Sequence, residues 1–133
     1  MTTKSLTLHL LPQRLAIARL DSHAVVPAWA QTGALLSLTR TPTELSIVCE
    51  ADLVPSEVRA ERGYRALRVF GPLDFSETGV LASLAAPLAR AGISIFVLST
   101  YDTDYLLLRE QELDAALACV SAAGHRVQHE KEG

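Results

Sequence analysis

Two short stretches gather the side chains from which chemistry could be built: Gly71 to Val80, reading GPLDFSETGV, and Ser99 to Asp104, reading STYDTD. The first joins an apolar run to a helical pattern. Asp74 or Ser76 suits a helix N-cap, Glu77 complements the helix dipole in a first turn, and Gly79 leaves backbone bare where a side chain would stand. Free N–H groups at such a helix start can receive a carboxylate. Spacing alone favours a plainer use, a capped helix whose glycine lets a strand approach. In the second stretch Asp and Thr are what a tight turn requires, because their side chains bond to nearby backbone. Asp102 and Asp104 also form a carboxylate pair. Acid–base catalysis needs a further group that shifts a pKa or holds substrate, and no His, Lys or nucleophile accompanies them. No catalytic residue is expected.

Metal-ligating types do not cluster either. His9 and His23 stand fourteen positions apart on different strands. His125 and His129 lie in a polar tail where Gly124 and Val127 oppose the helix that an i, i+4 pair would need. Cys49 sits in an apolar run and Cys119 in a helical pattern with no CxxC pair, so both read as buried, reduced thiols. Neither a metal nor a cofactor is expected.

The elements that must position these stretches are clearest in the second half. Arg65 to Phe70 forms a strand closed by Gly71 and Pro72. Glu77 to Ala91 then carries Val80, Leu81, Leu84 and Leu88 at helical spacing and stops at Gly92. Pro87 should bend this helix, since it removes the hydrogen bond to the Ser83 carbonyl. Ile93 to Leu98 and Tyr105 to Leu108 pair as a hairpin about Asp102 and Thr103. Leu113, Leu117 and Val120 mark a second helix ending at Gly124, and His125 to Gln128 a last edge strand. The order β-α-β-β-α-β is an α+β, ferredoxin-like unit.

The first half repeats this grammar with a piece missing. Leu6 to Leu11 and Arg14 to Leu20 are apolar runs broken at Pro12, and Leu35 to Arg40 pairs with Glu44 to Glu50 about Pro42. Between them Asp21 to Thr32 leaves room only for a turn of helix. At an offset of 60, Leu38, Thr43, Glu50 and Leu53 fall on Leu98, Thr103, Glu110 and Leu113, whereas Arg14 to Leu20 matches Arg65 to Gly71 near an offset of 51. The first copy has thus lost about nine residues of helix. Two tandem units follow, residues 1–62 with a shortened helix and residues 63–133 complete.

Charge narrows the partners. Residues 1–62 carry six basic and six acidic side chains and residues 63–133 six and nine, so the net −3 belongs to the second half and no basic face awaits nucleic acid. An RNA-recognition module of the same strand order would need exposed aromatics on its central strands, where only Phe70 and Tyr105 are available. The first residues hold no long apolar stretch, so neither a signal peptide nor membrane association is expected, and the working place is expected to be cytoplasmic.

At this point a family resemblance enters. ELSIVCE at Glu44 to Glu50, GPLDFS-x-TG at Gly71 to Gly79 and GISIF-x-x-STYDTDY at Gly92 to Tyr105 resemble bacterial tandem ACT-domain proteins. The chain is also similar to the ACT units of the cytosolic arginine sensors of the mTOR pathway and to aspartate kinase regulatory regions. The resemblance, which runs from about Arg14 to Val120, implies a non-catalytic module binding an amino acid or similar small metabolite between ACT units. Carried over by motif, Leu73, Asp74, Glu77, Thr78, Gly79 and Val80 would form one part of the site, and Thr100, Tyr101 and Asp104 the other. Backbone N–H groups near Thr78 and Gly79 would take a carboxylate, Thr100 and Tyr101 line a wall, and Asp104 or Glu77 meet a cationic group. The first copy places Arg40 and Pro42 where Thr100 and Asp102 stand, so one site per chain is expected, with Thr39 and Arg40 as a possible facing wall. A homodimer would restore the pairing of units. The competing reading is an interaction or dimerisation module with a vestigial site.

Overall fold

Runs of leucine and β-branched residues become strands β1 (Thr7–Leu10), β2 (Leu15–Leu20), β3 (Ser37–Arg40), β4 (Leu45–Glu50), β5 (Ala60–Val69), β6 (Phe96–Ser99), β7 (Asp104–Arg109) and β8 (Arg126–His129) in the computed structural model, which describes residues 5–70 and 79–131. The helices are α1 (Val80–Arg90) and α2 (Leu113–Ala122). The chain divides into two units, Gln13–Tyr64 and Met1–Pro12 with Arg65–Gly133, and β5 changes unit midway along its length.

The larger unit follows the ferredoxin-like order, from the second half of β5 through α1, β6, β7 and α2 to β8. Its sheet runs β6-β7-β5-β1-β8, with β1 antiparallel to β5 and parallel to β8. This corrects the assignment of residues 1–62 to one unit. Leu8 and Leu10 of β1 bury with Leu67 and Val69 of β5, Leu106 and Leu108 of β7, Leu84 and Leu88 of α1, and Ala116 and Val120 of α2. The β1 leucines need the core that the helices cover, and this outweighs their nearness in sequence to β2. Each fully buried leucine contributes about 1.5–3 kcal/mol. Val80 and Leu81 complete the apolar face of α1 at the spacing the sequence showed.

Both helices end in the same way. Gly92 N–H donates to Ala89 and Ile93 N–H to Leu88, while Gly124 N–H donates to Ser121 and His125 N–H to Val120, a Schellman pair in each case. The residue after the glycine turns back toward the core, which leaves His125 5% exposed. It is therefore not part of a polar tail. Leu6 N–H donates to His125 Nδ1 at 3.1 Å, and Nε2 lies 3.2 Å from the Ser83 carbonyl. An amide can only donate, so the proton sits on Nε2. Ser83 is the residue whose carbonyl loses its helical partner to Pro87. His125 replaces that partner.

Between the buried leucines of β1, His9 faces the other side of the sheet, level with Arg68 and Gln128. Arg68 donates to Glu130, whose carboxylate also lies 3.3 Å from His9 Nδ1. The Arg68 hydrogen bond holds the Glu130 carboxyl below the usual carboxylate range. A lowered pKa stabilises the fold above the unfolded value, near 4.3, and is lost as pH falls through the folded value. Glu130→Gln is expected to cost a few tenths to about 1 kcal/mol at pH 7, because the pair is partly exposed. In urea titrations the difference from wild type should shrink as pH drops below about 4.3. A difference that persists unchanged at lower pH would exclude the ion pair as its source.

The smaller unit keeps the strands and loses the helices. Its sheet runs β3-β4-β2 with the first half of β5, over a core of Ala16, Ala18, Ile47 and Cys49 closed by Ala30. Burial, and then the Glu50 charge, push the Cys49 thiol up. Ala28–Ala30 forms a single 3-10 turn where a long helix was expected to be shortened. The second helix is missing too. After the 3-10 turn Ala51–Leu53 the chain passes through Pro55 into β5, and the Arg62 guanidinium collects the carbonyls of Val54, Pro55 and Val58. At the unit boundary Ala16 pairs with Arg62 and Leu15 with Tyr64, so Gly63 is an extra residue. Its φ of +85° supplies the bulge, a backbone conformation that a side chain disfavours.

The two hairpins confirm a repeat, with a different register. β3 and β4 close at Arg40 opposite Leu45, β6 and β7 at Ser99 opposite Asp104, an offset of 59 and not 60. Thr41 N–H donates to the Glu44 carbonyl as Thr100 N–H donates to that of Thr103. Thr41 thus stands where Thr100 does, Pro42 where Tyr101 does, and Leu45 where Asp104 does.

Candidate functional site

A four-residue loop joins β6 to β7, and its two flanking residues face each other as a cross-strand pair. Ser99 Oγ donates to Asp104 Oδ1 at 2.6 Å across that pair. Inside the loop Thr100 N–H donates to the Thr103 carbonyl at 2.8 Å. Thr100 Oγ1 bonds the same carbonyl and accepts from Thr103 N–H, each at 3.2 Å. The turn is closed by threonine, as its composition implied. Tyr101 stands at the tip, 81% exposed, and Asp104 is half-buried.

Thr103 differs from its neighbours. It is 6% exposed, and its Oγ1 donates to the carbonyl of Val69, the last residue of β5, at 2.6 Å. The hairpin tip therefore lies beside the strand end from which the chain leaves for α1. Phe70 follows there, 59% exposed, with its ring centroid 5.2 Å from that of His9. The sequence stretch that supplies Leu73, Asp74, Glu77 and Thr78 comes next, and these four lie outside the described residues.

The described chain resumes at the start of α1, and here two expectations change. The helix begins at Val80, three residues later than the pattern starting at Glu77 implied, and its first turn holds no acidic residue. Gly79 is the N-cap with φ +78°, and among the described residues a Cβ there would meet nothing within 4 Å. Its glycine thus has a backbone reason, since a side chain strains this conformation by roughly 1–2 kcal/mol. Gly79→Val would mix strain with any steric effect on a ligand. Val80 packs in part against the core of the larger unit.

Of the described sequence-derived residues, Thr100, Tyr101 and Asp104 thus share one hairpin tip, and Gly79 with Val80 opens α1. Thr39 and Arg40 belong to the other hairpin. The Arg40 guanidinium donates to the carbonyls of Ser22 and Ala24, which commits it to holding its own loop. Sequence reasoning missed Ser99, Thr103 and Phe70 as individuals. A cross-strand Ser–Asp pair flanking a turn was the available signal for Ser99. Nothing in the sequence marked Thr103 as buried. Among the described residues no three His, Cys, Asp or Glu side chains gather as a metal would require.

The family model of the ACT domain matches residues 59–122, and a second model, for an N-terminal domain, matches residues 13–57. A Bos taurus protein named cytosolic arginine sensor for mTORC1 subunit 1 is 35% identical over 92 residues, which take in 61% of this chain and 28% of that protein. The chain therefore aligns with less than a third of this relative. A crystal structure of an Agobacterium tumefaciens protein is 40% identical with a TM-score of 0.92, covering 98% of this chain and 97% of that one. The ligand-free regulatory subunit of aspartate kinase from Thermus thermophilus is 16% identical with a TM-score of 0.64, over 91% of this chain and 99% of that one, a likeness of fold alone.

Proposed function

Since residues 59–122 make this chain an ACT-domain protein, we propose that it is a non-catalytic regulatory module that binds an amino acid or similar small metabolite. The observation that carries this reading is the hairpin tip, with Thr100, Tyr101 and Asp104 held beside the end of β5 from which the Gly71 to Gly79 stretch departs. Leu73, Asp74, Glu77, Thr78, Gly79 and Val80 complete the proposed site. The ligand carboxylate meets backbone N–H groups around Thr78 and Gly79, and its cationic end meets Asp104, whose Oδ1 accepts from Ser99. The facing wall comes from an ACT unit of a second copy, so the working form is a homodimer, and its place is the cytoplasm. Among the described residues no helix is long and apolar enough to cross a membrane.

L-Arginine is the first ligand to try, because the matched relative is named an arginine sensor and Asp104 offers a carboxylate. The test is a thermal-shift series over the twenty amino acids, in which saturation at 100 times Kd adds about 2.7 kcal/mol. The competing reading, an interaction module with a vestigial site, draws on the commitment of the Thr100 amide and hydroxyl to the turn itself. It requires that no amino acid raises the melting temperature. Such a result, with the dimer intact by sedimentation, would replace the sensor reading.

A further inference from the structure

We propose that Thr103 is a positioning residue of this site: its hydroxyl fixes the hairpin tip, and with it Thr100, Tyr101 and Asp104, against the end of β5. The inference rests on the ligand-binding reading for its purpose, while its geometry stands apart from it. Thr100, Tyr101 and Asp102 are exposed, and Thr103 alone in the loop is buried. All three of its polar groups are bonded. The amide and carbonyl close the turn onto Thr100, and Oγ1 donates to Val69, 34 residues earlier in the chain, at 2.6 Å. Phe70 N–H in turn donates to Thr7 of β1 at 2.8 Å, so the strand end that receives the Thr103 hydroxyl is itself anchored in the sheet. One hydroxyl therefore ties the turn of the STYDTD stretch to the strand that leads into GPLDFSETGV.

The other hairpin shows what the alternative looks like. At the offset of 59, Glu44 stands in the place of Thr103 and is half-buried. Its tip is tethered from the opposite direction, by the long Arg19 side chain donating to the Thr43 carbonyl at 2.8 Å in an exposed position. A flexible, solvated arginine sets a tip less firmly than a short buried hydroxyl does. The rigid link occurs in the unit that carries the α1 loop, and the loose one in the unit that lacks a long helix.

The test compares the full chain with Thr103→Val, which keeps the shape and deletes the hydroxyl, and Thr103→Ser, which keeps the hydroxyl. Hydrogen–deuterium exchange should rise about tenfold or more for amides of residues 99–104 in Thr103→Val while those of α2 stay as in wild type, and Thr103→Ser should keep slow exchange. With L-arginine as the calorimetric probe, Thr103→Val should bind about tenfold or more weakly and Thr103→Ser within about threefold of wild type. Unchanged tip exchange in Thr103→Val overturns the proposal, and so does a Thr103→Ser tip as loose as that of Thr103→Val. Wild-type affinity in Thr103→Val also overturns it. Should wild type itself not bind L-arginine, the ligand assignment fails and the exchange result alone decides the role of Thr103. If Thr103→Val does not fold, the serine variant decides it on the same two measurements.

Discussion

Replacing His125 with leucine is expected to cost about 2–4 kcal/mol of stability, and part of that loss should return when Pro87 is replaced by alanine in the same chain. The imidazole serves two groups: the Leu6 amide, which donates to Nδ1, and the Ser83 carbonyl, which accepts from Nε2 where Pro87 has no N–H to offer. Leucine fills much of the volume and satisfies neither, and each orphaned group costs about 1–3 kcal/mol when buried. Pro87→Ala restores an N–H four residues after Ser83 and so offers its carbonyl a helical donor. Alanine also raises helix propensity in either background, so the informative quantity is the difference between backgrounds. Pro87→Ala should stabilise the His125→Leu chain by about 1 kcal/mol more than it stabilises wild type, measured by urea denaturation with unchanged m-values. Additivity within about 0.3–0.5 kcal/mol would show that His125 does not compensate for the proline.

That pairing was half legible in the sequence. Pro87 announces an unsatisfied Ser83 carbonyl, since proline has no N–H, but nothing in sequence names the donor that answers it. His125 lies 42 residues away, beside glycine and arginine in a stretch whose composition reads as a polar edge. Its burial follows from the Schellman geometry at Gly124, which turns the next side chain inward whatever its type. The elements of the larger unit were legible for the complementary reason. Leu84, Leu88, Leu106, Leu108 and Val120 recur at the period of their own helix or strand, and one apolar face per element suffices to order them.

Register was the weaker signal. Matching Leu38 with Leu98 and Glu50 with Glu110 maximises identical letters at an offset of 60, yet the backbone hydrogen bonds align the hairpins at 59. Side-chain identity can drift by one place between duplicated copies, while the turn geometry cannot, because one residue of slip would send every strand side chain to the wrong face. The first half of β5 escaped notice because Glu61, Arg62 and Gly63 have poor strand propensity, and pairing with β2 imposes the strand on them. On the site side, the cluster at Ser99 to Asp104 was visible as a group of polar turn residues. Which of its members is buried depends on the neighbouring strand end, a contact 34 residues distant in sequence that no local pattern encodes.

Asp104→Asn is expected to weaken binding of L-arginine by about 1.5–3 kcal/mol, the range of a charge-assisted hydrogen bond, which is roughly a 10- to 150-fold rise in Kd. The substitution is chosen because the turn should survive it. Asparagine keeps an oxygen that can accept from Ser99 Oγ, and the Thr100–Thr103 closure and the Thr103–Val69 bond do not involve residue 104 at all. What changes is the charge that Asp104 would present to a ligand in the proposed site. A neutral amino acid that binds the same protein through its carboxylate, such as L-leucine if the thermal-shift series finds it, should lose less, because the carboxylate contact proposed at Thr78 and Gly79 does not involve Asp104. The ratio of the two losses therefore separates a charge contact from a general loosening, which would weaken both ligands alike. Salt supplies an independent check. The arginine loss should shrink as ionic strength is raised, since screening weakens the wild-type contact and leaves the neutral variant as it was. If Asp104→Asn binds L-arginine as wild type does, with both chains folded and calorimetry on each, Asp104 makes no charge contact with the ligand and leaves the proposed site.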